Sequence, residues 1–193
     1  MSGLLLHGDT VTSAALRHEV PLAIIDPFTL LEVDGRVTIL TNVLERERIA
    51  AVRPDAELLS IDELGLFELV EGGMGRREAE LEVIARAVGA ADLQSARVPP
   101  DFPLAVADRL RAGGVELLVD PGAFAARRRA KNALELDGIR RAQRAAEAGM
   151  AAAAALLRAA TPAGGRLELD GEPLPAERVR DALRAACADA GAP

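Results

Sequence analysis

The side chains able to ligate a metal ion are few and poorly spaced in this sequence. His7 and His18 are its only histidines, and neither belongs to an H-x-x-x-H or H-E-x-x-H pattern, which places two ligands on one helix face. Asp9 and Glu19 are the nearest acids, and the single cysteine, Cys187, is far along the chain. We therefore interpret both histidines as surface or supporting residues and Cys187 as a small apolar residue on a helix.

Nucleophile and phosphate-binding motifs are also missing from the sequence. The serines, Ser2, Ser13, Ser60 and Ser95, all lie outside any G-x-S-x-G context. The glycine-rich stretch 72–75 lacks both the preceding strand and the Lys-Ser/Thr ending of a phosphate loop. It is better interpreted as a flexible joint between two helices.

Charged residues offer two further candidates for chemistry. Asp170 and Glu172 flank a glycine, and Asp-Gly is typical of a turn. The basic run 127–129, followed by Lys131, could bind an anion. Such runs are more typical of a solvated helix start or of salt bridges between domains, and we favour that interpretation.

Composition excludes several classes of function. The net charge of −7 argues against nucleic acid as the main partner, and four Phe with no Tyr or Trp leave few platforms for stacking. No charge-free apolar tract is long enough to span a membrane, and Leu4–Leu6 is too short for a signal sequence. A single cysteine suits a reducing compartment. We expect a cytoplasmic protein that binds neither nucleic acid nor membrane.

Strand and helix patterns alternate from residue 20 to residue 120, which predicts an α/β domain with a mixed sheet flanked by helices. The predicted strands are 4–6, 22–25, 30–33, 37–41, 57–61, 93–98 (at an edge) and 115–119. The predicted helices are 14–18, 44–52, one between Asp62 and Gly72, 76–88 and 102–111. Thr12-Ser13, Asp62 and Asp101 are predicted to cap the first, third and fifth of these. Gly72 and Gly89 are predicted to end the third and fourth. Asp34-Gly35 marks a tight hairpin.

A long alanine-rich helix follows from Glu135. Its apolar residues recur three and four apart, which predicts one stripe along about seven turns. The stripe comprises Leu136, Ile139, Ala142, Ala146, Met150, Ala153 and Leu157. A short strand at 167–169 and a final helix at 175–190 are predicted after it.

The segment 124–142 resembles the joint of the pita-bread metallopeptidases, which are the Xaa-Pro aminopeptidases, the Xaa-Pro dipeptidases (prolidases) and the related creatinases. In that family an Arg and a Lys precede a Glu, and an Ile-Arg and an Ala follow. The positions that match are Arg128 or Arg129, Lys131, Glu135, Ile139, Arg140 and Ala142. Independently of the family, Lys131 and Glu135 are four residues apart near a helix start, where they can pair.

The resemblance implies a domain organisation. Residues 1–126 would form a creatinase-type N-terminal α/β domain, 127–134 the joint, and 135–193 the long helix and first elements of a truncated pita-bread catalytic domain. Active members hold two divalent metals (Mn, Co or Zn) with two Asp, one His and two Glu that come later. None of those ligands carries over, so we expect this chain to bind no cofactor and to be inactive alone.

The resemblance also implies a role. The N-terminal domain of this family supports a dimer or larger oligomer and narrows the entrance to the active site, where proline-containing peptides enter. The residues predicted at that entrance are Arg17, His18, Asp26 and Phe28. The apolar stripe of the long helix is predicted to mediate self-association, because large apolar strips rarely stay bare.

Two other functions stay open. The chain could be a standalone interaction or regulatory module that uses its α/β domain to bind a partner. It could also belong to a metal-free creatinase-like amidinohydrolase. The residues that follow in the gene would separate these, because only the peptidase requires the metal-binding carboxylates.

Overall fold

The computed structural model describes residues 2–191. The chain divides into two compact units, Met1–Lys131 and Asn132–Pro193, here called unit 1 and unit 2. The division falls within the predicted joint of residues 127–134. Position 1, where the first predicted domain begins, and positions 192–193, where the last one ends, lie outside the described residues.

Unit 1 contains, within its described residues, a six-stranded mixed sheet. Its strands are β1 (Ser2–Gly8), β2 (Phe28–Val33), β3 (Arg36–Thr41), β4 (Glu57–Ser60), β5 (Ser95–Val98) and β6 (Glu116–Val119). Their order is β4-β3-β2-β1-β5-β6. The pairs β1–β2 and β2–β3 are antiparallel, and the other three are parallel. The predicted α/β class with a mixed sheet is confirmed.

Helices cover both faces of this sheet. They are α1 (Ala14–Glu19), α2 (Val43–Val52), α3 (Leu66–Glu71), α4 (Arg76–Ala90), α5 (Leu104–Ala112) and α6 (Pro121–Arg129). Neighbouring residues of a strand point to opposite faces. Accordingly, Leu5 packs in a core with residues of α3, α4 and α5, whereas Leu6 packs in a core with Leu16, Ile49 and Phe124.

The predicted hairpin is confirmed. Asp34 has φ 50° and Gly35 has φ 80°, so both central residues of the turn are left-handed. Two such residues form the turn whose twist matches that of the flanking strands. Val33 therefore pairs directly with Arg36, which sets the register of β2 and β3.

The predicted strand at 22–25 is wrong. Residues 21–27 form a loop, in which the Ile24 N–H donates to Thr10 Oγ1 at 2.8 Å. The Thr10 N–H in turn donates to the Ile24 carbonyl at 3.1 Å. Because the turn after β1 takes these hydrogen bonds, the segment cannot join the sheet, and Ile25 is 78% exposed.

Some predicted boundaries of helices and strands are also wrong. Asp62 and Asp101 do not cap helices, because α3 begins after Gly65 and α5 after Pro103. Gly89 lies inside α4, which continues to Ala90. β5 is an interior strand, because β6 pairs on its outer side and leaves β4 and β6 as the edges of the described sheet.

Unit 2 begins with α7 (Ala133–Ala159), the predicted long helix. Asn132 and Glu135 form a capping box: the Glu135 N–H donates to Asn132 Oδ1, and the Asn132 N–H donates to Glu135 Oε2, both at 2.9 Å. Three short strands follow in the described residues, β7 (Thr161–Ala163), β8 (Arg166–Leu169) and β9 (Glu172–Pro173), and then α8 (Ala176–Asp189). None of the described helices is both long and apolar enough to cross a bilayer.

Small residues form the contact between α7 and α8. Ala145 and Gly149 are buried in α7, and Cys187 Sγ lies 3.4 Å from the Ala145 carbonyl oxygen. A Cβ atom on Gly149 would lie 2.6 Å from Cys187 Sγ and 3.2 Å from the Leu183 carbonyl oxygen. The two helices therefore approach so closely that only glycine fits at position 149.

Candidate functional site

The first arginine of the basic run holds a charge network inside unit 1. Arg127 Nε donates to Glu19 Oε1 at 2.6 Å, and its Nη2 donates to Glu32 Oε2 at 2.8 Å. The hydrogen bond to Glu19 is the main cause that raises the pKa of Arg127 above its ordinary value. Arg53 also donates to Glu19, at 3.4 Å to Oε2 and 2.8 Å to the backbone carbonyl. Arg127 thus ties α6 to α1 and β2.

The other predicted residues of the joint have different surroundings. Arg128 Nε donates to the Phe124 carbonyl of its own helix at 3.4 Å, and Lys131 Nζ donates to the Arg128 carbonyl. Arg129 is exposed, as are Ile139 and Arg140 in α7. Glu135 takes part in the capping box. The structure therefore gives Arg127 rather than its neighbours the ion pairs expected of the basic run, and these pairs lie within unit 1.

A shallow open depression of about 360 Å³ lies beside this network. It is lined by Ser2, Gly3, Leu4, Arg97, Ala123 and Arg127. Arg97 Nη1 lies 3.7 Å from Asp120 Oδ2, and Arg127 is held by two carboxylates. Both cations are therefore already neutralised, which does not favour an anion site.

The four predicted entrance residues differ in how far they are buried. Phe28 is only 2% exposed and packs in the core beneath α1 and α6, so its ring is not available to a substrate in this structure. Arg17 and His18 lie in the last turn of α1, and Arg17 is exposed. Asp26 is exposed and accepts a hydrogen bond from Asn42 Nδ2 at 3.2 Å. Whether Arg17, His18 and Asp26 meet a substrate stays a prediction.

Asp26 adjoins an apolar surface that the sequence did not reveal. Four large aliphatic residues are exposed in the loops and helix start at this end of the sheet: Val11 (64%), Ile25 (78%), Val43 (58%) and Leu44 (78%). The Thr10–Ile24 and Asn42–Asp26 hydrogen bonds bring these loops together. We call Val11, Ile25, Val43 and Leu44 the strand-end patch.

His7 is a partly buried residue of β1. Of its two interpretations, a surface or a supporting residue, the surface one is therefore wrong. His7 Nδ1 lies 2.8 Å from Thr29 Oγ1 on the neighbouring strand. Burial lowers the pKa of His7 to about 4, because desolvation disfavours the charged ring more than the negative charge of Glu80 favours it. The ring is therefore neutral at pH 7.

Acidification is expected to destabilise unit 1 through His7. The unfolded chain protonates this ring near its ordinary pKa of 6.5, whereas the folded pKa is about 4. The free energy of unfolding should therefore fall as the pH drops from about 6.5 to about 4, by at most about 3 kcal/mol. Urea unfolding across this range should show the slope, His7→Gln should flatten it, and the control His18→Gln should retain it. An unchanged slope in His7→Gln would contradict this origin.

Within residues 2–191 no three His, Cys, Asp or Glu side chains come together in a group that could hold a metal ion. The dinuclear centre implied by the resemblance therefore does not fit the described residues.

No family model and no curated protein matches this chain. Solved structures do match. An X-Pro aminopeptidase from Thermotoga maritima MSB8 superposes on 99% of this chain with a TM-score of 0.68 and 11% sequence identity. A Xaa-Pro dipeptidase from Bacillus anthracis superposes on 98% with a TM-score of 0.63 and 16% identity. The fold is that found in Xaa-Pro peptidases.

These superpositions cover nearly all of this chain but less than half of each peptidase. The chain spans 47% of the aminopeptidase and 44% of the dipeptidase, or about half of each. The predicted likeness to this family is thereby confirmed for the fold, including a unit 1 of the kind found as their N-terminal domain. At these identities the comparison assigns no residue a role.

Proposed function

We propose that this chain is the N-terminal, non-catalytic portion of a metal-dependent Xaa-Pro peptidase of the aminopeptidase P or prolidase class. The observation that carries the proposal is the fold likeness, which extends through both units yet accounts for about half of each peptidase.

The proposed role of the chain is oligomerisation and control of access to the active site. The strand-end patch supports it, because exposed aliphatic side chains beside a carboxylate suit a surface that meets another protein or a peptide. Proline-containing peptides would be the substrates of the whole protein. The lone thiol, Cys187, supports a reducing compartment, and we place the protein in the cytoplasm.

The whole protein would use two divalent metals, Mn, Co or Zn, to activate water and polarise the scissile carbonyl. The described residues do not fit a pair of metal ions, so this chain would carry out no catalytic step itself. Its contribution would be to position and enclose the substrate.

The test is a peptidase assay on the 193-residue chain. With added manganese or cobalt, we expect no cleavage of a Xaa-Pro peptide above the rate without protein. Measurable cleavage that co-purifies with the chain would contradict the proposal. The matched experiment extends the chain with the residues that follow it in the gene, and we expect activity only if these supply two Asp, one His and two Glu. A gene lacking those carboxylates would reject the peptidase.

A further inference from the structure

Three Asp-Gly dipeptides occur in the sequence, at Asp34-Gly35, Asp137-Gly138 and Asp170-Gly171. In an Asp-Gly dipeptide the glycine nitrogen can approach the preceding carboxyl group easily, because glycine has no Cβ atom to obstruct it. A bond between these two groups is the first step of aspartate isomerisation. The backbone around each dipeptide therefore decides whether the step can occur.

Asp34 and Asp170 lie in two-residue hairpin turns. Their φ angles are 50° and 57°, and the glycines that follow them have φ angles of 80° and 81°. In each turn the two flanking residues pair directly with one another. These flanking residues exchange the ladder hydrogen bonds, so the glycine N–H within the turn is not part of the ladder. Both aspartates are exposed.

Asp137 has a different backbone environment, because it lies inside α7. The Gly138 N–H is in the helical ladder, where it donates to the carbonyl four residues earlier. The capping box of Asn132 and Glu135 holds the start of this helix closed. The nitrogen of Gly138 can therefore reach the Asp137 carboxyl only after the first turns of α7 have opened.

The three dipeptides are otherwise well matched. A Cβ atom added at any of the three glycines would meet no described atom within 4 Å apart from its neighbours along the chain. Asp137 is exposed like the other two aspartates. Its ion pair with Arg141, at 3.5 Å, is solvent-exposed and restrains the carboxylate only weakly. The main difference between the sites is thus the hydrogen bonding of the backbone.

The reaction at such a turn needs only water. The glycine nitrogen forms a bond to Cγ of the aspartate, and the carboxyl oxygen leaves as water together with the nitrogen's proton, which gives a five-membered imide. Water then attacks one of the two imide carbonyls. Attack at Cγ restores aspartate. Attack at the backbone carbonyl breaks the original peptide link, so the chain continues through the side chain and the α-carboxylate is released.

We propose that Asp34 and Asp170 are sites of spontaneous isomerisation to isoaspartate and that α7 protects Asp137. The proposal is independent of the proposed function, because the reacting atoms belong to two adjacent residues. Isomerisation at Asp34 adds one methylene group to the backbone of the turn that sets the register of β2 and β3. A change of register by one residue would move side chains to the other face of the sheet.

Ageing of the folded 193-residue chain in water enriched in heavy oxygen tests the proposal. Hydrolysis of the imide takes its oxygen from the solvent, so each passage through the imide labels the residue. Peptide mass spectrometry should find at least about tenfold more label at Asp34 and at Asp170 than at Asp137, because reaction there waits for α7 to open. An isoaspartate-specific carboxyl methyltransferase with labelled S-adenosylmethionine should methylate the same two peptides.

Two substitutions at position 34 provide the controls. Asp34→Gly removes the carboxyl group but keeps a Gly-Gly pair that suits this kind of turn, so label and methylation should disappear at that position alone. Asp34→Asn should react faster, because its amide forms the same imide with loss of ammonia. Circular dichroism establishes that both variants are folded.

Ageing in urea completes the test. All three dipeptides should then take up label at similar rates, because α7 no longer protects Asp137. In the folded chain, label at Asp34 no greater than at Asp137 would overturn the assignment of that turn, and the same comparison decides Asp170. A low label at Asp137 that persists in urea would show that the helix is not the cause of its protection.

Discussion

Gly149→Ala is expected to destabilise unit 2 by about 2 kcal/mol, although alanine is the better helix former. The added methyl group would lie 2.6 Å from Cys187 Sγ and 3.2 Å from the Leu183 carbonyl oxygen. The sulfur can move only with its short side chain, and the carbonyl only with the backbone of α8. The helices must therefore separate, and other buried contacts between them weaken.

Gly138→Ala is the matched control for this change. It makes the same substitution in the same helix, but nothing lies within 4 Å of the added carbon. We expect it to stabilise unit 2 by up to about 1 kcal/mol, because only the intrinsic helix preference changes. Thermal unfolding followed by circular dichroism should thus move in opposite directions for the two variants.

Cys187→Ala adds an internal check. It removes the nearest atom, so the loss caused by Gly149→Ala should be smaller in that background, and the two substitutions should not be additive. Equal losses with and without the sulfur would show that the close approach of α7 and α8 is not the cause.

Arg127→Met is expected to destabilise unit 1 by about 2–4 kcal/mol. The substitution keeps much of the aliphatic volume but removes both hydrogen bonds of the guanidinium. Glu19, whose side chain is 9% exposed, would lose its ion pair at 2.6 Å and keep the longer one, at 3.4 Å, to Arg53. Glu32, whose side chain is 23% exposed, would lose its ion pair with Arg127 Nη2 at 2.8 Å.

Arg129→Met is the control, since Arg129 lies two residues away in the same basic run and is exposed. It should change the free energy of unfolding by less than about 0.5 kcal/mol. Hydrogen exchange should locate the effect: Arg127→Met should increase exchange in α6 first, and Arg129→Met should not. Equal stability of the two variants would show that the network does not hold α6.

Features determined by nearby residues were predictable from the sequence. The Asp34-Gly35 hairpin and the Ser13 cap of α1 both depend on groups a few positions apart, and both are observed. The long helix α7 was also predicted, because its periodic pattern continues for many turns. A mixed sheet followed from the alternation of these elements.

Features that depend on distant partners were not predictable. The apolar run at 22–25 would suit a buried strand, but the hydroxyl of Thr10 takes its hydrogen bonds. Arg127 pairs with Glu19 and Glu32 across 108 and 95 positions, and no local signal marks it within a basic run. In α7, periodicity identified an apolar face, but it could not show that the smaller residues of another face would contact α8.

The candidate site was predicted less completely than the fold. The sequence predicts Asp26 at the entrance but does not reveal the exposed aliphatic residues beside it, because its pattern places Ile25 in a buried strand. Phe28 is predicted at the entrance because the resemblance places this loop edge there, but its position at the start of β2 turns its ring into the core. Burial distinguishes a residue that can meet a substrate from one that packs in the core. It depends on which elements cover each strand, and the sequence does not show this.

The central position of β1 has a consequence for the order in which unit 1 can fold. This strand precedes the other five strands of the sheet in the chain, yet it pairs on one side with β5, so Ser2 must meet Ser95. Pairings between residues so far apart in sequence lose much chain entropy before they gain contacts, and they form slowly. Until β5 and α6 have emerged from the ribosome, the nascent chain carries a hairpin and an apolar strand with one unsatisfied edge. This interval is when it is most exposed to aggregation and most in need of a chaperone.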